Sequence, residues 1–298
     1  MRRLGGMLFI SLLGCEVAWA DLLVSRGTFG IDRYADSGTF LGQFISPGTG
    51  GLNDARGIAI GSNGDVYVAD FLDSQILRFD SAGTFLNVFS SGAGIQTPFD
   101  LSFGPGGDLY VGSGGNDAVV RVNALTGMAA GAFTFGNPQP IGGPHYLAFG
   151  PQLVVTDQAG RLFRFNAATG AWIQTTLLDN PEGAGFNAAG DLFVAQRISD
   201  NVLRSPSGGG PFIIAIPTGD FAGAPADLVF GPGDLMYLAT SSAIYRFDVS
   251  SGSGALVDSF GNGGEYLAFT NAIPEPGALI MVIIGLAAIL VGSTRFRN

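Results

Sequence analysis

Arg56, Asp100, His145, Glu182, Asp227 and Glu265 each stand at the start of a short apolar run, and Tyr146 and Tyr266 follow two of them. Only 13% of the chain is charged, so this recurrence gathers acids, an arginine and the single histidine at equivalent positions. If the runs are strands arranged around an axis, these residues form one ring at the mouth of a channel, where a specific ligand would bind. Other chemistry is poorly supplied. His145 has no Cys or Ser motif to activate, and a hydrogen-bonding role in a loop is its plainer reading. No Gly-x-Ser-x-Gly elbow occurs, and the Gly-rich turns lack the Lys or helix start that cradles phosphate. Acidic loops such as Asp70-Phe71-Leu72-Asp73 have no EF-hand or RTX spacing, which favours turn capping over calcium binding.

The elements that must position the ring are legible as a repeat. First strands read Gly57-Ile58-Ala59-Ile60, Asp100-Leu101-Ser102-Phe103, Tyr146-Leu147-Ala148-Phe149, Gly183-Ala184-Gly185-Phe186, Asp227-Leu228-Val229-Phe230 and Tyr266-Leu267-Ala268-Phe269. Between Ile58, Leu101, Leu147, Ala184, Leu228 and Leu267 the steps are 43, 46, 37, 44 and 39 residues, the period of a four-stranded propeller blade. Asn63-Gly64, Gly106-Gly107 and Ala189-Gly190 supply hairpin turns, and no sustained helical period interrupts residues 47–263. The sixth first strand has no blade after it, whereas residues 22–46 match later strands of a blade without a first one. The chain therefore reads as all-β: a six-bladed propeller closed by its N- and C-terminal strands, which leaves no unpaired sheet edge around the ring. Arg33, Arg78, Arg121, Arg164, Arg204 and Arg246 recur in the third strands. They read as ties between repeats, with Asp70, Asp157 and Asp200 as expected partners, rather than as a basic ring for an acidic polysaccharide.

Gly64-Asp65-Val66-Tyr67-Val68-Ala69-Asp70 and Ile76-Leu77-Arg78-Phe79-Asp80 resemble the NHL repeat, and the architecture resembles NHL-type propellers and the related gluconolactonase-like and WD-like rings. Such rings include enzymes, scaffolds and binders. A gluconolactonase-like reading implies a metal-dependent hydrolase of lactones or sugar acids, with Ca²⁺ held by carboxylate and amide oxygens and one carboxylate as base; Glu182, Asp227 and Asp100 would fill those roles. Those sites also use asparagine, and no ring position here is Asn. The amidating-lyase reading needs several histidines for zinc and fails on one. A complete ring of oxygen ligands would favour the enzyme; carboxylates occupied by Arg56 or by backbone would favour a binding or scaffold role.

The two ends give an address. Arg2-Arg3, an apolar run from Leu4 to Leu13 and Ala18-Trp19-Ala20 read as a signal peptide over residues 1–20, cleaved after Ala20. Cys15, the only cysteine, lies within it; a loose lipobox, Leu12-Leu13-Gly14-Cys15, is the competing reading. Residues 273–298 hold Pro274-Glu275-Pro276, an apolar run from Gly277 to Gly292, and Arg295 and Arg297. This resembles a PEP-CTERM sorting signal, which implies a transmembrane helix, recognition by an exosortase-type membrane protease, and export to the surface or matrix of a Gram-negative bacterium that makes extracellular polysaccharide. Sixteen residues at about 1.5 Å each span roughly 24 Å, short of the ~30 Å hydrocarbon core, so membrane attachment through that helix would be transient.

Residues 21–272 are long enough for one propeller and carry ten Arg against 22 acids, a net charge of −12. A polyanion would be repelled, which makes nucleic acid a poor partner and neutral glycans or Ca²⁺ better ones. The expectation is an exported binding or structural module with no required cofactor.

Overall fold

The computed structural model describes residues 20–92, 94–207, 209–250, 255–261 and 264–270. Their strands form four-stranded antiparallel sheets. Blade I is β4 (Ala55–Ile60), β5 (Val66–Asp70), β6 (Gln75–Phe79) and β7 (Phe85–Ser91); blade II is β8 (Pro98–Phe103), β9 (Leu109–Ser113), β10 (Ala118–Val122) and β11 (Ala129–Ala132). Blade III is β12 (Pro144–Phe149), β13 (Leu153–Asp157), β14 (Arg161–Phe165) and β15 (Trp172–Leu177). Blade IV is β16 (Pro181–Phe186), β17 (Leu192–Gln196), β18 (Asn201–Ser205) and β19 (Ile213–Ile216). Blade V is β20 (Pro225–Phe230), β21 (Leu235–Thr240), β22 (Ile244–Asp248) and β23 (Ala255–Phe260).

Blade VI is the closure. β24 (Leu267–Phe269) pairs antiparallel with β1 (Leu22–Ser25), which continues to β2 (Ile31–Tyr34) and β3 (Phe40–Ile45). The register is Leu22↔Phe269, Leu23↔Ala268 and Val24↔Leu267, so the two ends of the ring are held by one ladder. First strands stand beside one another in chain order, and β24 returns to β4.

In blades I, II, IV and V the hairpin between first and second strands turns on a glycine at positive φ, as at Gly64 (φ 84°) and Gly190 (φ 81°). Blades are joined by tilted and edge-to-face aromatic pairs. Tyr67 meets Phe103, Tyr110 meets Phe149 and Tyr237 meets Phe269, each pair crossing a blade border with centroids 5.3, 4.7 and 4.8 Å apart. Second strands are buried throughout, because a central strand in a packed blade meets neighbours on both faces.

The recurring arginines differ from expectation. Arg78, Arg121 and Arg204 pair with Asp65, Asp108 and Asp191, the hairpin acids of their own blades, and Arg33 pairs with Asp21. Among the described residues Arg164, through Ser205, and Arg246, through the Asp36 carbonyl, bond to the next blade. Asp70 and Asp157 are not their partners: Asp70 accepts from the backbone of Asn53 and Asp54 and from Gln75, and Asp157 holds Arg161. The hairpin register puts the second-strand neighbour, not the strand-end acid, beside each third-strand Arg, as in Tyr67↔Arg78.

A transmembrane helix is not an element of this fold. No helix among the described residues is long and apolar enough to cross a membrane. The helical pieces described, Thr49–Gly51, Gly114–Asn116 and Pro232–Asp234, are three-residue 3₁₀ turns, about 6 Å long at ~2 Å per residue against a ~30 Å hydrocarbon core. Gly277–Gly292, on which that expectation rested, lies outside the described residues, as do residues 1–19 with Cys15, and Pro274, Glu275, Pro276, Arg295 and Arg297.

Candidate functional site

In blades I to V the pairing of first and second strands slips at one place: between Ala55 and Ile58, Pro98 and Leu101, Pro144 and Tyr146, Pro181 and Ala184, and Pro225 and Leu228. An extra residue on the first strand breaks the alternation of faces, so neighbours in sequence such as His145 and Tyr146 both reach the channel. The expected single ring is thereby divided. Arg56, His145, Tyr146, Glu182, Glu265 and Tyr266 line one cavity of about 490 Å³. Asp100 and Asp227 do not; they line a second cavity of about 410 Å³ among the later residues of the first strands.

The mouth cavity has a tyrosine floor. Tyr146 of blade III and Tyr266 of blade VI meet from opposite sides and stack, with centroids 4.7 Å apart and planes 28° apart. The Tyr146 hydroxyl donates to the Glu265 carbonyl at 3.0 Å. The Tyr266 hydroxyl is buried and has no hydrogen-bond partner among the described residues. Burial holds both phenols well above their ordinary pKa, so they are neutral donors.

Charges at the rim are paired across blade borders. Arg56 of blade I bonds Glu265 of blade VI, contacts Asp54 at 3.1 Å and lies 5.0 Å over the Phe71 ring. His145 Nδ1 of blade III stands 2.8 Å from Oε2 of Glu182 of blade IV, and Phe99 packs edge-on to the imidazole at 4.6 Å. Glu182 is 4% exposed and also meets Arg197 at 3.6 Å and the Asn180 amide at 3.3 Å.

Arg26, Arg197 and Ser241 also line it and were not among the expected residues. They share a position: each directly follows a second strand, at β1, β17 and β21, as Phe71 follows β5. Reading the residue after each second strand would have found this outer ring.

One level in, the first strands carry Gly57, Asp100, Tyr146, Gly183, Asp227 and Tyr266, the triplet Gly-Asp-Tyr twice over. Asp100 accepts from its own following amide, Leu101, and from Leu147 of the next blade, both at 2.8 Å. Asp227 does the same with Leu228 at 2.8 Å and Leu267 at 2.9 Å. The glycines make the room. A Cβ on Gly57 would lie 2.6 Å from Asp100 Oδ1, and one on Gly183 would lie 2.5 Å from Asp227 Oδ1.

Of the carboxylates proposed for Ca²⁺, Asp100 and Asp227 each already accept two backbone amides, and Glu182 stands against His145, Arg197 and the Asn180 amide. No three His, Cys, Asp or Glu among the described residues converge to hold a metal ion, so the donor set does not fit that cation.

Residues 52–79 match the NHL repeat. No curated protein matches the chain. Among solved structures, the fold is similar to a gluconolactonase from Xanthomonas campestris (TM-score 0.61, 15% identity, covering 71% of this chain and 78% of that one). It is similar to virginiamycin B lyase from Staphylococcus aureus (0.61, 13%, 86% and 93%) and to a chain of the nidogen/laminin complex (0.69, 14%, 85% and 99%). The repeat match and the six blades make the fold an NHL-like β-propeller.

Proposed function

We propose that the propeller is an exported binding module, working at the cell surface or in the extracellular matrix, whose mouth cavity takes a neutral saccharide. The observation that carries this is the buried, unpartnered hydroxyl of Tyr266 in the lining of a 490 Å³ cavity. A buried donor without an acceptor costs about 1–3 kcal/mol, which a ligand oxygen would recover. The rim charges already neutralise one another, so they offer hydrogen bonds in several directions without calling for a charged ligand. Phe29, 71% exposed, adds an apolar face beside them. Export rests on the sequence: the leader-like residues 1–20, and Pro274-Glu275-Pro276 with the following apolar run and Arg295 and Arg297, which support handling by an exosortase-type protease. The test is a glycan array probed with the wild-type chain and with Tyr266→Phe and Glu182→Ala. Binding to one saccharide class that both variants weaken supports the site; binding that neither variant alters removes it.

One observation favours a second reading, hydrolysis of a lactone or sugar acid. His145, the single histidine, lines the mouth cavity with Nδ1 2.8 Å from the buried Glu182 carboxylate, which makes it the candidate general base for such a reaction. Lactone turnover by the wild type that His145→Ala abolishes would replace the binding role by this one.

A further inference from the structure

The second cavity, at the other end of the channel, has no place in the function above. Its walls are the later residues of all six first strands, mostly apolar in type, with Phe103, Phe149, Phe186, Phe230 and Phe269 beside smaller residues such as Ala59 and Gly185. Against them stand two carboxyls, Asp100 and Asp227, each 8% exposed. No Arg or His lines this cavity, and neither Asp has an ion-pair partner among the described residues.

Each carboxyl oxygen accepts a single backbone amide. An ionised carboxylate has about four acceptor sites, so roughly half the capacity of each group is unfilled. The groups near them make this worse for a bare charge: Asp227 feels Asp100 and Glu182, and Tyr146 and Tyr266 flank both. Burial accordingly pushes Asp100 up to about 7 and Asp227 well above the ordinary carboxylate range. Without a cation, the pair holds protons near neutrality.

We propose that this cavity binds a primary alkylammonium ion, its three N–H groups on Asp100 and Asp227 and its alkyl chain against the apolar walls. The fit is chemical. Calcium-like metal ions prefer six or more oxygens, which two amide-bound carboxyls do not supply, whereas an ammonium needs three acceptors and its chain gains from contact with the apolar side chains of the strands. The volume of 410 Å³ is that of a small-molecule site. This chain contains no lysine, so the ammonium comes from elsewhere: a free amine or a lysine side chain of another protein.

The test is calorimetric titration of the full chain at pH 8 with n-butylammonium, n-butanol and Nα-acetyl-lysine methylamide, in two buffers of different ionisation enthalpy. Butylammonium should bind one to one, release protons as it displaces them from the aspartates, and bind at least tenfold more weakly to Asp227→Asn. The lysine derivative binding as tightly as butylammonium assigns the site to a partner's side chain; weaker binding assigns it to a free amine. Equal affinity for butylammonium and butanol, no binding of either, or unchanged affinity in Asp227→Asn overturns the proposal. The ammonium-against-alcohol comparison uses the unaltered chain, so it decides the matter even if the variant misfolds.

Discussion

Gly183→Ala should destabilise the propeller out of proportion to one methyl group. Gly183 has no positive φ, so alanine brings no backbone strain of its own. The cost is steric: the new Cβ would sit 2.5 Å from Asp227 Oδ1 and 2.7 Å from the Leu228 nitrogen. The second of these is backbone of the neighbouring blade and cannot rotate away. Relief requires blades IV and V to part by several tenths of an ångström. That shift also strains the Asp227 bonds to Leu228, within blade V, and to Leu267, which joins blade V to blade VI. Overpacking costs about 1–3 kcal/mol, and in a domain of this size each kcal/mol lowers Tm by roughly 2–4 °C. We expect the upper half of that range, a fall of about 5–10 °C by differential scanning calorimetry. Gly185→Ala is the internal control, since its nearest obstacle, Leu228 Cδ1 at 2.9 Å, is the end of a flexible side chain. Its fall should be smaller. Equal Tm values for Gly183→Ala and wild type would refute the close approach of blades at the Gly-Asp-Tyr level.

The floor tyrosines should respond oppositely to loss of a hydroxyl. Tyr146→Phe removes the bond to the Glu265 carbonyl and should cost about 1 kcal/mol in urea unfolding, whereas Tyr266→Phe removes a buried unpartnered group and should be neutral or stabilising. Destabilisation by Tyr266→Phe in ligand-free protein would mean that its hydroxyl has a partner in solution. Stability should also fall as pH rises. Asp100, near 7 in the fold against about 3.9 unfolded, binds more protons in the native state across that interval, so its stabilising contribution is full below pH 4 and is lost on passing 7. Asp227 acts in the same direction. Thermal unfolding between pH 5 and 8 should show Tm dropping, and a rise would contradict the burial of the pair.

How much of this was written in the chain can be argued residue by residue. The period from Ile58 to Leu267 and the orphan first strand at Tyr266-Leu267-Ala268-Phe269 determined six blades and their closure, because strand alternation and glycine turns are local physics that each copy repeats. The proposed export signals are read from sequence alone, and the apolar run after Pro276 lies outside the described residues. Which residues share a cavity was not local. Glu182 aligns with Ala226, and both line the mouth, whereas Asp227 stands one position further along its strand and lines the other cavity, so adjacent positions beyond the same slip in pairing serve different cavities. Partners lie across blade borders, Arg56 with Glu265 at one end of the chain and the other, and Tyr146 on Tyr266 across the channel. Sequence fixes what each position carries, but the ring's closure brings residues more than a hundred positions apart into contact, and only there does a carboxylate meet an arginine, an amide or nothing at all.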